Sequence, residues 1–139
     1  MDFNELIKPG MTNEEIFEVK ETHLASHIGS GAARVLATPW LIGFMERVAH
    51  QLIAQHLPEG YSSVGSEVNM HHLAPTPLGG KVRVVAEVLS VEGAKVTLNV
   101  QAWDETEQVG SCTHLRYIVN EARFLKRVAA KTGDTSKQR

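Results

Sequence analysis

At 139 residues, with 42% hydrophobic and 22% charged side chains, the chain can bury one core without a disulfide or a structural metal, and it is too short for two ordinary domains. A formal net charge of -2 excludes the strongly basic footprint of a nucleic-acid binder, while leaving room for a small cationic cluster. Cys112 is the single cysteine, so no intrachain disulfide forms; the N-terminus lacks the basic head and apolar run of a signal peptide, and no apolar stretch nears the ~20 residues of a membrane span, so a cytoplasmic protein without membrane contact is expected.

Residues 1–12 read as a loose arm with a turn at Pro9-Gly10. From Thr12 to about Leu24 side chains alternate, Phe17 and Val19 against Glu18 and Lys20, as in a strand with one wet face. Residues 25–37, with Gly29, Gly31 and small side chains, read as a flexible loop.

Thr38-Pro39 then opens a helix, threonine as N-cap and proline at the first helical position. Leu41, Phe44, Met45, Val48, Ala49 and Leu52 recur at helical spacing, and Trp40, Ile42 and Ile53 widen the apolar face. A helix this apolar must be wrapped by other structure. Pro58-Glu59-Gly60 ends it.

Strands follow at Ser62–Leu73, Lys81–Val91, Ala94–Asp104 and Gln108–Asn120, joined by the Pro75-Thr76-Pro77 break, a tight turn at Glu92-Gly93 and another at Asp104–Glu107. Short connections make antiparallel neighbours. Residues 121–131 read as a short helix and the last eight as a frayed polar tail. The order gives an α+β fold in which an antiparallel sheet of about five strands curves around one long helix, a single domain over 1–139 with its core at about 12–128.

Strand parity sorts two adjacent histidines. Val64, Ser66, Val68, Met70 and His72 share one mainly apolar face; Gly65, Glu67, Asn69 and His71 share the other. With the first face toward the helix, His72 points in and His71 out.

A long helix in a wrapping antiparallel sheet is the hot-dog arrangement. Ala37-Thr38-Pro39-Trp40-Leu41-Ile42-Gly43-Phe44-Met45-Glu46, Val64-Gly65 through His72, and Gly110-Ser111-Cys112-Thr113-His114-Leu115-Arg116 together resemble the fluoroacetyl-CoA thioesterase family of hot-dog proteins, over roughly residues 12–128. The resemblance implies hydrolysis of an acyl-CoA thioester to CoA and a carboxylic acid, with Thr38, Glu46 and His72 as the catalytic residues. It sets Gly65 beside the acyl group and makes Arg116 the arginine of the last strand. It implies no cofactor beyond the CoA carried by the substrate, and a homodimer with its cleft at the interface. The aromatic lid that the namesake enzyme carries just before its threonine has no counterpart in residues 29–36, which points to a more general acyl group than fluoroacetyl.

The residue types suit the chemistry. A thioester carbonyl needs no metal; it needs a nucleophile or water, a proton acceptor and a donor to the oxyanion. Glu46 is either a helix-edge carboxylate solvated beside Arg47 or part of the site, with Gly43 making room for substrate. Thr38 is either a cap or catalytic, and ~12 Å of helical rise separates it from Glu46, so either substrate bridges the two or one comes from a second chain. His72 is either a core-edge histidine or a base. Arg116 either meets a CoA phosphate, anchors a carboxylate or makes a plain salt bridge. Arg123, Lys126 and Arg127 are either phosphate contacts or a solvated helix face. His23, His27 and His71 lack the cysteine or carboxylate company of a metal site. A hot-dog hydratase or dehydratase, and a non-catalytic acyl-CoA or CoA-binding protein, are the competing functions.

Overall fold

The computed structural model describes residues 2–132. Five strands, β1 (Thr12–Glu18), β2 (Tyr61–His72), β3 (Lys81–Glu92), β4 (Lys95–Trp103) and β5 (Gln108–Asn120), form one antiparallel sheet in the order β1-β3-β4-β5-β2. Helix α1 (Ala25–Ile28) is a single turn, α2 (Thr38–Ala54) is the long helix, and α3 (Glu121–Ala129) follows β5 directly. Strands β2 to β5 fall within a residue or two of where alternation sets them, and Val82, Val84, Ala86, Val96, Leu98, Val100 and Ala102 bury one face at period two.

That face meets α2, whose Leu41, Phe44, Met45, Val48, Ala49, Leu52 and Ile53 are buried. At about 1.5–3 kcal/mol for each large side chain removed from water, this contact carries much of the fold's stability. The approach is closest at Gly110 of β5, where a Cβ would stand 2.8 Å from Met45 Cε and 3.0 Å from Leu41 Cδ2. Gly110 pairs with His72 on β2, so the missing side chain lets the first turn of α2 settle against the end of β2.

Four expectations need correction. The expected loose arm is ordered over its described residues 2–12: Phe3–Glu5 form a 3-10 turn and Ile7 is fully buried in the core. β1 stops at Glu18, because Val19 turns into the core and a 3-10 turn at Glu21–His23 follows. Residues 25–37 hold α1 and a loop closed by backbone bonds from Ala25 to Val35 and from Ser26 to Ala33, with Gly29 left-handed at φ 78°. The N-cap of α2 is Ala37, and Thr38 is its first helical residue. The expected frayed tail falls almost wholly outside the described residues.

A bulge breaks the parity of β2. The pairing with β5 shifts between Gly65 and Glu67, so Ser63 and Gly65 join Val68, Met70 and His72 on the face toward α2. An extra residue in one strand reverses every side chain beyond it, which period-two reading does not detect. His72 points inward and His71 is exposed, as parity had them, but Gly65 changes sides.

Candidate active site

Thr38 has no capping bond to make. Its Oγ1 lies instead 2.8 Å from Nδ1 of His72. His72 ends β2 with its ring half-buried, and its Nε2 is buried without a hydrogen-bond partner. Burial lowers the His72 pKa, offset in part by the Ala74 backbone, so the ring is neutral and a proton acceptor near pH 7. A neutral ring that accepts the threonine O–H at Nδ1 carries its own proton on Nε2, which is the orphaned atom. Both residues line a cleft of about 340 Å³ with Ala25, Ser30, Val35 and Leu73.

Glu46 belongs to a second cluster. Its Oε2 is 3.9 Å from Nη1 of Arg116, and 43% of its side chain is exposed. Arg116 is buried, donating from Nε to Ser63 Oγ at 2.8 Å and from Nη2 to the Ser63 carbonyl at 3.0 Å. Its Nη1 stands 3.1 Å from Nε2 of His114, whose Nδ1 is 2.8 Å from the Glu67 carbonyl. A carbonyl only accepts, so His114 carries its proton on Nδ1 and takes the arginine N–H at Nε2. Burial lowers the His114 pKa, which keeps the ring neutral in this role.

Gly65 is the floor of this cluster. A Cβ there would stand 2.7 Å from Glu46 Oε2, 3.3 Å from His114 Cε1 and 3.4 Å from Arg116 Nη1. The bulge therefore gives β2 a bare patch of backbone under these three side chains.

Within one chain the structure thus brings Thr38 to His72, and Glu46 to Gly65 and Arg116, as two groups at opposite ends of the Gly65–His72 stretch of β2. Gly43 joins neither. A Cβ there would touch only Trp40, and the residue lines a groove with Phe17, Phe44 and Arg47 on the β1 side of α2. Arg116 is too enclosed to meet a CoA phosphate. His114, which sequence reasoning passed over, fixes the side of Arg116 that faces Glu46; its place two residues before Arg116 on the same strand face was the available signal. Cys112 is buried, with its thiol pushed up to about 11, so it supplies no thiolate. His23 accepts the Lys20 N–H and packs on Trp40 and Phe44, and no group of three potential metal ligands occurs among the described residues.

Comparison with known proteins gives one family. The model described as fluoroacetyl-CoA-specific thioesterase matches residues 19–122. The fluoroacetyl-CoA thioesterase of Streptantibioticus cattleyicolor is 37% identical over 98 residues, 70% of each chain. A crystal structure of a phenylalanine-to-alanine variant of the fluoroacetyl-CoA-specific thioesterase superposes with TM-score 0.84 at 31% identity, covering 91% of this chain and 98% of that one. A hot-dog-like protein from Thermanaerovibrio acidaminovorans gives TM-score 0.89 at 30% identity, covering 96% and 99%.

Proposed function

We propose, for a chain that belongs to the fluoroacetyl-CoA-specific thioesterase family and so is an acyl-CoA thioester hydrolase of the hot-dog fold, that its active site is completed by a second copy: Thr38 and His72 from one chain, Glu46, Gly65 and Arg116 from the other. The observation that carries this is the separation of the Thr38–His72 pair from Glu46 within one chain, with Glu46 half exposed beside the open edge of β2.

The edge of β2 supports the pairing. β2 borders the sheet, and Gly65–Asn69 are exposed along it. An unpaired strand edge is a template for another strand, and a two-fold axis makes that pairing antiparallel. With the axis between Val68 and Asn69, Gly65 of one copy stands opposite His72 of the other. The carboxylate end of each site then meets the imidazole end of its partner, which sets Glu46 of one copy beside His72 of the other.

In this site His72 Nδ1 takes the proton from the nucleophile, the Thr38 hydroxyl or a water that it holds. Glu46 steadies the imidazolium, and His72 returns the proton to the departing CoA thiolate. The N-terminus of α2 stabilises the oxyanion. Arg116, held by Ser63 and His114, fixes Glu46 and the acyl group over Gly65. Residues 29–36 carry no aromatic side chain, which supports acyl groups broader than fluoroacetyl. The chain acts as a single-domain, cytoplasmic homodimer without a cofactor, nucleic acid or membrane partner; among the described residues no helix is long and apolar enough to cross a membrane.

Release of free thiol from a panel of short, branched, aromatic and long acyl-CoAs tests the activity. Turnover of at least one, abolished by Glu46→Gln and by His72→Ala, is expected. CoA binding without release from any thioester would favour a binding protein instead.

A further inference from the structure

Exposed apolar side chains such as Ile16, Leu89 and Tyr117 stand on separate strands, which is ordinary for a protein surface. α3 differs. Its Leu125 is 62% exposed and its Val128 47%, and no residue of the helix is buried. Residues 121–131 also hold Arg123, Lys126, Arg127 and Lys131 against the one carboxylate of Glu121, in a chain whose net charge is -2. None of these four cations is in an ion pair among the described residues.

We propose that the outward face of α3 docks a small acidic protein that carries the acyl group as a thioester on a phosphopantetheine arm, so that the enzyme takes protein-bound as well as CoA-bound thioesters. The inference rests on the thioesterase reading.

Three observations carry it. First, α3 has two faces. Arg123, Phe124 and Arg127 turn toward Phe3 and Tyr61. Ala122, Leu125, Lys126 and Ala129 follow helical spacing on the opposite side. Small residues around one projecting leucine let another helix lie close, and the lysine beside them gives the face a charged rim.

Second, the charge selects the partner. A helix with four cations and one anion attracts an acidic surface and steers its approach. A second copy of α3 would set like charges together. A lipid surface would find only Leu125 and Val128 to bury, because Phe124 is turned away, and even a full fatty chain anchors a protein only marginally.

Third, α3 is fixed and stands close to the site. The Asn120 side chain caps it by accepting the Arg123 N–H at 3.0 Å, and the Glu121 N–H donates to the Gly60 carbonyl at 2.9 Å. Tyr61 pairs with Asn120 and Gly65 with Arg116, so four residues of strand, ~13 Å, separate the root of α3 from Gly65. A phosphopantetheine arm spans that distance, and a carrier seated on α3 delivers its thioester without leaving the surface.

The test measures kcat and KM for one acyl group on an acidic acyl carrier protein, on CoA and on pantetheine, in the wild type and in a Leu125→Asp/Lys126→Glu variant. The pantetheine thioester reports any loss of fold or chemistry. The wild type is expected to favour the carrier-bound group over the pantetheine thioester by at least about tenfold in kcat/KM, an advantage that shrinks as salt is raised. The variant is expected to lose that advantage through KM, with turnover of the pantetheine thioester unchanged. A carrier-bound group no better than the pantetheine thioester, or an advantage that the variant keeps, would overturn the inference and leave the thioesterase reading standing. An equal loss with acyl-CoA would assign the charge to the nucleotide and overturn it too, as would co-sedimentation with phosphatidylserine vesicles in place of a carrier preference. A wild type that hydrolyses none of the three sinks the thioesterase reading. Titration calorimetry with the holo carrier protein then decides α3 alone: binding lost in the variant supports the docking face, and binding absent or kept by the variant overturns it.

Discussion

The Thr38 hydroxyl lies 2.8 Å from Nδ1 of His72 and makes no capping bond to α2, although threonine is a favoured capping residue. Removing it therefore separates two roles that the sequence leaves merged. Loss of a true N-cap costs ~1 kcal/mol of stability. Thr38→Ala is expected to leave the thermal midpoint within the ~0.5 kcal/mol of an ordinary surface change, while kcat falls by ~10²–10⁴. Differential scanning fluorimetry beside the thiol-release assay reads both. A clear drop in midpoint with kcat intact would return Thr38 to a capping role.

Gly65→Ala adds one methyl group where 2.7 Å separates the ideal Cβ from Glu46 Oε2. The carboxylate and Arg116 must shift, and a displacement of this size costs ~10²-fold in rate for a positioned group. The backbone at Gly65 is not among the positive-φ glycines, so the fold tolerates alanine. The expected result is a folded protein with normal circular dichroism and strongly reduced kcat/KM.

His114→Leu keeps the volume and removes both hydrogen bonds. The Glu67 carbonyl and Arg116 Nη1 lose their buried partner, at ~1–3 kcal/mol each. Urea denaturation is expected to show a lower midpoint, and the surviving folded enzyme a reduced kcat, because nothing then aims Arg116 at Glu46. An unchanged midpoint would show that water replaces the imidazole without cost.

The pH dependence has a definite sign. Burial lowers the pKa of His23, His50, His72 and His114 below the ordinary ~6.5. Below ~6.5 the unfolded chain takes up protons that the folded rings refuse, so stability holds above that value and falls as pH drops beneath it. Thermal midpoints should be level from about pH 7 upward and decline toward pH 5.

Much of this was legible in the residues, and the rest failed for physical reasons. The apolar period of Leu41, Met45, Val48 and Leu52 and the alternation of Val96, Leu98, Val100 and Ala102 gave the helix and the sheet around it, because burial acts on every turn and every second residue. The bulge after Gly65 depends on how β2 meets β5 through space, so parity set Gly65 on the wrong face. The role of His114 stayed hidden because its partners, the Glu67 carbonyl and Arg116, are fixed by that same bulge. Ile7 and α1 were missed because a short segment packed on a core has no period of its own. Thr38 was singled out through the family resemblance and given the N-cap position that belongs to Ala37, and its hydroxyl goes to a strand residue 34 positions away.

The central claim is that Thr38 and His72 of one copy act with Glu46 of another. Thr38→Ala and Glu46→Gln chains, each inactive alone, are to be unfolded together and refolded as a mixture. Every mixed dimer then holds one intact site, and random assortment should restore about a quarter of wild-type turnover. A mixture as inactive as its components, with mixed dimers demonstrated by native mass spectrometry, would contradict the shared site and return all three residues to a single chain.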